Sequence, residues 1–191
     1  MGKTRMEAFS DGVIAILITI MVLELKVPAG HDWPALHAVI PTLALYLLSF
    51  VLVGIYWNNH HHMLHAATRI NGKILWANLH LLFWLSLVPF ATTWMGDTGS
   101  AALPTAMYGV VLLCCALAFT LLQTLIIADE GPTSKLATAV QRDFKGKISI
   151  VFYLVAIPTA FVNHWIADAC FVCVALLWLA PDPRIERVIA R

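Results

Sequence analysis

Long apolar runs, separated by short polar segments, make up most of the chain. Six such runs occur, at about residues 8–27, 35–57, 74–95, 104–128, 146–162 and 165–181. Because about 20 predominantly apolar residues in a helix cross the hydrocarbon core of a bilayer, the pattern predicts six transmembrane helices. Including their polar flanks, we place them at about 5–27, 35–60, 74–95, 104–128, 139–162 and 165–181. The expected fold is all-α and integral to the membrane, one six-helix bundle that occupies residues 1–191 as a single domain.

The segment from Ser134 to Lys147, before the fifth run, has a different pattern. Its apolar residues are interspersed among charged ones, at Leu136, Ala139, Val140 and Phe144. This spacing is typical of an amphipathic helix that lies in the membrane surface. We expect such a helix here, with the fifth span as its possible continuation.

Composition agrees with a membrane protein. Apolar residues make up 60% of the chain, charged residues only 12%, and the mean hydropathy is +0.81. Soluble domains contain about 25% charged residues. The net charge is +1 and the sequence has no basic run, so the expected partner is the lipid bilayer and not nucleic acid.

The four cysteines lie inside apolar runs. Cys170 and Cys173 have the C-x-x-C spacing, and Cys114 and Cys115 are adjacent. Redox chemistry and zinc binding need thiolates with polar access, which a lipid-embedded helix does not provide. We therefore interpret all four as small packing residues.

Lysine and arginine are distributed unequally between the two ends of the predicted helices. Of the twelve, the first end holds Lys3, Arg5, Arg69, Lys73, Lys135, Arg142, Lys145, Lys147, Arg184, Arg187 and Arg191, and the other end holds Lys26. Because basic residues are enriched on the cytoplasmic side, both termini are predicted to be cytoplasmic. Tryptophans at both ends of the runs fit the aromatic belts of a bilayer. A multi-pass protein of the cell inner (plasma) membrane is expected.

The first run carries polar side chains that a purely structural membrane helix does not need. Ser10 and Asp11 lie just inside its start. At about 100° per residue, they fall on one face of the helix. The opposite stripe holds Phe9, Gly12, Ile16, Thr19, Ile20 and Leu23. Since a carboxylate in the membrane must face protein or water, we expect the Ser10–Asp11 face to pack against neighbouring helices.

The stripe of Ile16, Thr19, Ile20 and Leu23 is open to three interpretations. It can face lipid, a partner subunit or a central axis, and periodicity alone favours lipid or a packed core. Thr19 does not decide between them, because a threonine in a membrane helix can bond a carbonyl of its own helix.

A histidine cluster forms a second group of polar residues. It consists of His60, His61, His62 and His65 at the end of the second run, with His80 in the third. Histidines three or four residues apart can ligate a metal from one helical face. Adjacent histidines point in different directions, however, and no Asp or Glu accompanies them. We therefore favour interfacial residues that hydrogen-bond neighbouring helices, and keep a metal-binding protein or enzyme as the alternative.

Signatures of catalysis are absent from the sequence. It contains no glycine-rich phosphate loop, no serine nucleophile elbow and no H-E-x-x-H. It also lacks the T-V-G-Y-G filter of ordinary potassium channels. We expect neither an enzyme nor a cofactor or metal.

Three motifs resemble those of a known family. Arg5-x-x-x-Phe9-Ser10-Asp11-Gly12 resembles the R-x-x-x-F-S-D signature of the endolysosomal potassium channel family (transmembrane protein 175) and its prokaryotic relatives. The stretch around Trp57, from Tyr56 to His61, resembles the family's W-x-x-H-type stretch. Asn78-Leu79, followed by Leu87-Val88-Pro89-Phe90, resembles its N-L…L-x-P-F stretch.

The resemblance implies a homotetramer of six-helix subunits whose first helices line a central pore. It implies that Ile16 forms a hydrophobic gate, and that Thr19 forms a polar ring linked to potassium preference. Ile20 and Leu23 fall where some members have further constrictions. The residues Arg5, Phe9, Ser10 and Asp11 then form a structural motif, with Trp57, His61 and Asn78 as the suggested partners.

The expected function is a cation channel that is modestly selective for potassium over sodium, with K⁺ as the permeant ion. Proton permeation is compatible with such a pore. An alternative from another class is a proton-coupled transporter that uses Asp11 or Glu24. The sequence assigns no role to Asp168.

Overall fold

The computed structural model describes residues 2–140 and 144–179. This part of the chain is all helical, as predicted, and its eight helices are α1 Lys3–Leu23, α2 Trp33–Ala66, α3 Gly72–Ser86, α4 Val88–Asp97, α5 Ala102–Glu130, α6 Lys135–Val140, α7 Phe144–Thr159 and α8 His164–Leu179. Among the described residues, four stretches are long and apolar enough to cross a membrane: α1, α2, α3 with α4, and α5. A further apolar helix, α8, is shorter. The chain is a multi-pass membrane protein.

Several predicted helix ends were wrong. α1 ends at Leu23 and not at residue 27, several residues before the one position that Pro28 keeps from helical backbone. α2 continues to Ala66, beyond the predicted end at residue 60, since the polar histidine stretch stays helical. α7 ends at Thr159, and the chain turns before α8 instead of remaining helical to residue 162.

The third apolar run is two helices rather than one. α3 ends at Ser86 and α4 begins at Val88, with Leu87 between them. Pro89 lies in the first turn of α4, where its missing N–H is not needed. Its ring is incompatible with a regular helix continuing from the preceding turn, so the run is broken at this point.

The predicted surface helix is represented by α6, in which Leu136 and Ala137 are buried. Residues 141–143, which would join α6 to α7, lie outside the described part of the chain. The same holds for residues 180–181 of the predicted sixth helix and for the basic residues Arg142, Arg184, Arg187 and Arg191.

Contacts between helices place α5 at the centre of the bundle. α5 packs against α3, α4, α7 and α8, and α1 packs against α2, α3 and α4. Gly109 of α5 permits a close approach, since a Cβ there would lie 3.1 Å from Ile157 and 3.3 Å from the Phe171 ring. Many large apolar side chains on the outer faces, such as Leu47, Val151 and Leu176, are exposed, as expected for surfaces that meet lipid.

Polar contacts define the two ends of the bundle. At the end where α1 begins, which we call the N-terminal end, Lys3 Nζ donates to the His65 carbonyl at 3.0 Å. Glu130 Oε1 there accepts from the Thr68 amide at 2.7 Å and from the Thr68 hydroxyl at 2.8 Å. At the opposite end, which we call the distal end, Lys26 Nζ bonds Asp97 Oδ2 at 2.6 Å. These contacts tie the ends of α1, α2, α4 and α5 to one another.

Candidate pore-lining helix and its anchor

The buried face of α1 follows a regular spacing of three or four residues. It holds Met6, Ser10, Ile14, Leu17 and Met21. This is the face that packs against α2, α3 and α4. Ser10 therefore lies in the interior of the bundle and is fully buried.

A chain of buried hydrogen bonds connects this face to two other helices. Asn78 Nδ2 of α3 donates to Ser10 Oγ at 2.9 Å. The Asn78 side-chain oxygen lies 2.7 Å from His60 Nε2 of α2. With the amide in this orientation the oxygen can only accept, so Nε2 carries the proton and donates. All three side chains are at most 1% exposed. Their polar groups form hydrogen bonds with one another at a depth that water does not reach.

Asp11 is held separately, at the margin of the same face. Trp57 Nε1 of α2 donates to Asp11 Oδ1 at 3.0 Å. Trp57 is 44% exposed and Asp11 is half-buried. We call Ser10, Asp11, Trp57, His60 and Asn78 the anchor, because these residues hold α1 against α2 and α3.

The structure joins most, but not all, of the predicted motif residues. His61 stacks on the Trp57 ring at a centroid distance of 6.2 Å and makes no bond to Ser10 or Asp11. Its neighbour His60 bonds Asn78 instead, since adjacent helical positions differ by about 100°. The Arg5 side chain is exposed and has no hydrogen-bond or ion-pair partner among the described residues. Phe9 is 49% exposed.

Sequence reasoning missed the role of His60, although a signal for it was present. The buried positions of α2 include Val53, His60 and Leu64. Spacings of seven and four residues place these three on one helical face. The apolar period therefore runs through His60 and not through His61.

The opposite stripe of α1 is uncovered. Ile16 is 57% exposed, Ile20 is 40% exposed and Leu23 is 79% exposed. Gly12 and Thr19 on the same stripe are also exposed. The Thr19 hydroxyl donates within its own helix to the carbonyls of Ile16 at 2.9 Å and Ala15 at 3.1 Å. The hydroxyl oxygen accepts no hydrogen bond from the described residues, so its lone pairs are available to a ligand.

A groove runs beside this stripe towards the distal end. It has a volume of about 510 Å³. Among others, it is lined by Ile20 of α1, by Glu24 directly after α1, and by Phe90 and Trp94 of α4. The exposed stripe and the groove form one continuous, mostly apolar surface. Glu24 and Thr93 are among its few polar lining residues.

The histidine cluster does not converge on one point. The His61 ring stacks on His65 at a centroid distance of 6.3 Å and meets the His62 ring edge-on at 5.7 Å. His80 accepts from Trp84 Nε1 at 2.9 Å. Within residues 2–140 and 144–179, no three His, Cys, Asp or Glu side chains are grouped so that they could hold a metal ion.

Asp168 has a local partner on its own helix. Its Oδ2 lies 3.2 Å from His164 Nδ1, one turn earlier in α8. Its Oδ1 is buried without a hydrogen-bond partner in the described structure. Asp168 lies on α8, apart from the anchor and the stripe on α1.

Comparison with known proteins identifies the relatives of this chain. Residues 5–89 match the family model described as endosomal/lysosomal potassium channel TMEM175. A Chryseobacterium protein named potassium channel HX13_20290 is 54% identical over 98% of this chain and 97% of its own length. A more distant relative, the zebrafish endosomal/lysosomal proton channel TMEM175, is 27% identical over 64% of this chain and 24% of its own length.

A solved structure has the same fold. The crystal structure of a lysosomal potassium-selective channel TMEM175 homolog from Chamaesiphon minutus matches with a TM-score of 0.81. The two sequences are 29% identical, and the match covers 93% of this chain and 96% of that one. Together with the R-x-x-x-F-S-D residues of α1, of which Ser10 and Asp11 belong to the anchor, these matches show that the chain belongs to the TMEM175 family.

Proposed function

We propose that this protein is a potassium channel, modestly selective over sodium, in which four copies surround a pore lined by α1. The family and the relatives named above are ion channels and not enzymes. A channel of this kind needs no cofactor, and K⁺ is its permeant ion. The bacterial relatives support potassium as the ion, and the exposed stripe supports α1 as the pore wall.

One observation carries the pore assignment. Buried hydrogen bonds link Ser10 of α1 to Asn78 of α3, and Asn78 to His60 of α2. The side chains on the opposite stripe of α1 remain uncovered, namely Ile16, Thr19, Ile20 and Leu23. A helix that is packed on one side and bare on the other needs a second surface or a lumen for its bare side. Four such stripes facing a common axis, in a symmetric assembly, would form a continuous wall.

Ile16 is proposed to form the gate. Four isoleucine side chains around an axis make a narrow apolar ring, and such a ring blocks ions by dewetting. Ile20 and Leu23 continue the apolar surface towards the distal end and would form further constrictions. Small rotations of α1 would widen the ring.

Thr19 is proposed to form a polar ring just beyond the gate. Its hydroxyl hydrogen is already donated to carbonyls of α1. The oxygen lone pairs, which accept no hydrogen bond from the described residues, can therefore replace part of the hydration shell of a cation. Without a cage of backbone carbonyls, we expect the selectivity to be modest.

In the membrane, we propose six spans, with α3 and α4 together as the third and with α7 and α8 as the fifth and sixth. α7 and α8 are 16 residues each, which is slightly shorter than a typical span of about 20 residues. Both termini would then be cytoplasmic, in the plasma membrane, with the N-terminal end of the bundle inside. The distribution of lysine and arginine supports this orientation.

Ion flux through the purified, reconstituted protein, measured with K⁺ replaced by Na⁺, tests whether the protein is a potassium channel. In liposomes, we expect passive K⁺ flux that exceeds Na⁺ flux, does not saturate like a carrier and needs no pH gradient. The oligomer should have four times the subunit mass of 21.1 kDa. Flux that saturates and follows a proton gradient would instead support the transporter hypothesis, and bound metal with no ion flux would support the metal-binding one.

Replacing Thr19 by alanine should lower the K⁺/Na⁺ preference while conduction persists. The substitution removes the hydroxyl oxygen from an exposed helical position, so folding should be preserved. The measurement is the reversal potential under mixed ions, with Thr124→Ala as the matched control, because the Thr124 hydroxyl also bonds its own helix and lies on α5. An unchanged reversal potential in Thr19→Ala would contradict the proposed ring.

A further inference from the structure

The groove beside the stripe of α1 has the size of a ligand site. Its volume of about 510 Å³ lies within the range of about 300–1,000 Å³ that is typical of small-molecule sites. Its apolar lining consists of Leu17 and Ile20 of α1 and of Pro89 and Phe90 of α4. The proposed channel uses only Ile20 of these residues, so the rest of the groove has no role in it.

A carboxylate without a partner lies at the distal end of the groove. Glu24 follows the last residue of α1 and is exposed, and its side chain has no hydrogen-bond or ion-pair partner among the described residues. The nearest lysine or arginine in the sequence, Lys26, is bonded to Asp97 at 2.6 Å instead. The groove therefore carries a negative charge that no described residue neutralises.

Two aromatic side chains line the same groove. The ring centroids of Phe90 and Trp94 are 5.8 Å apart, with an angle of 37° between the ring planes. Phe90 is 60% exposed, so its ring is accessible to a ligand. The face of an aromatic ring attracts a cation, and tryptophan does so most strongly. A carboxylate and two aromatic rings in one groove favour a cation with an apolar body.

The remaining polar groups of the lining agree with a cationic ligand. Ser86 Oγ donates to the Phe83 carbonyl at 2.7 Å, and Thr93 Oγ1 donates to the Pro89 carbonyl at 3.1 Å. Both hydroxyl oxygens keep lone pairs that can accept a hydrogen bond from a ligand. The Trp94 indole N–H is the one side-chain donor of this lining without a partner in the described structure. A single donor in a groove that also holds a carboxylate does not suit an anion.

A bare metal ion fits the groove less well than an organic cation. Calcium takes six to eight oxygen ligands, and magnesium requires a nearly ideal octahedron of them. The side chains of the lining offer oxygens from Glu24, Ser86 and Thr93 only. The rest of the wall is apolar or aromatic, and an ion that loses its hydration against such a wall pays a large desolvation penalty.

We propose that this groove binds a monovalent organic cation, an ammonium group on an aromatic or aliphatic body. The ammonium group bonds the Glu24 carboxylate at the distal end. The apolar body packs on Phe90 and Trp94 and extends towards Leu17. This binding does not depend on ion conduction and is tested without measuring flux, so its failure and the failure of the proposed channel are separate results.

The probe is 4-fluorobenzylammonium, and its binding to the purified full chain in a non-ionic detergent is followed by ¹⁹F NMR. We expect Glu24→Gln, which removes the charge and keeps the size of the side chain, to weaken binding on the order of tenfold. Phe90→Leu, which removes an aromatic face, should weaken it about twofold to fivefold. Glu7→Gln is the matched control, because Glu7 lies near the other end of α1 and outside the groove. It should bind the probe as the wild type does.

A second probe, 4-fluorobenzyl alcohol, separates recognition of the charge from partition into detergent. It has the same ring and no charge, so it should bind the wild type more weakly than the ammonium compound, and Glu24→Gln should not change its binding. The thermal unfolding temperature of each variant checks that the fold is intact. If the wild type does not bind the ammonium compound, a second copy or a lipid covers the groove and the proposed site is wrong. The site is also wrong if Glu24→Gln binds that compound as tightly as Glu7→Gln does.

Discussion

Replacing Ile16 by asparagine should increase ion flux through the reconstituted protein on the order of tenfold. Ile16 is 57% exposed on the uncovered stripe of α1, and four apolar side chains there would exclude water from a narrow pore. An amide side chain of similar length keeps the ring hydrated and removes much of the dewetting barrier. A barrier lowered by about 1.4 kcal/mol corresponds to a tenfold faster rate.

The control for this experiment is Ile166→Asn. Ile166 is also an exposed isoleucine, at 45%, but it lies on α8, which is not one of the helices α2, α3 and α4 against which α1 packs. The same chemical change there should leave the flux unchanged. Potassium flux into liposomes measures both variants at equal protein content. If both increase the flux equally, the effect is a general disturbance of the bundle, and Ile16 is not the gate.

Replacing Asn78 by alanine should destabilise the protein more than any other single change in the anchor. Asn78 donates to Ser10 at 2.9 Å and lies 2.7 Å from His60. Removing it leaves two fully buried polar side chains without their partner. Interhelical hydrogen bonds in membranes contribute about 0.6 kcal/mol on average and up to about 1.7, so the loss of both should cost about 1–3 kcal/mol. We expect a lower thermal unfolding temperature and less assembled oligomer.

Asn58→Ala is the matched control, because Asn58 is exposed on α2 and should tolerate the substitution. Ser10→Ala should cost less than Asn78→Ala, since it breaks only one of the two bonds. The double variant should cost about as much as Asn78→Ala alone, because residues in one network are not additive. An unfolding temperature for Asn78→Ala equal to that of Asn58→Ala would show that the anchor does not hold α1 in place.

The sequence by itself determined the class of protein and the division of α1 into two faces. Apolar runs of about 20 residues identify membrane-spanning helices without tertiary information, because the thickness of the bilayer sets that length. The 3.6-residue period of a helix likewise separates Ser10 from Ile16 before any neighbour is known. The motif around Ser10 and Asp11 also identified the family, since those residues lie close together in the chain.

Helix ends and breaks were less predictable. Hydropathy does not distinguish Leu87 from its neighbours, so the break between α3 and α4 was missed although Pro89 was visible in the sequence. The end of α2 was placed too early, because polar histidines resemble the end of a span in composition while they remain helical in the structure.

Only the tertiary structure decided which side chains meet. His60 and not His61 joins the anchor, because α3 brings Asn78 to the face on which His60 lies. Lys26 reaches Asp97 across 71 positions of the chain, and the groove beside the stripe exists only where α1 lies next to α3 and α4. A local pattern determines the direction of a side chain relative to its own helix. The rotation and depth of the neighbouring helix, which depend on the packing of the whole bundle, determine what that side chain contacts.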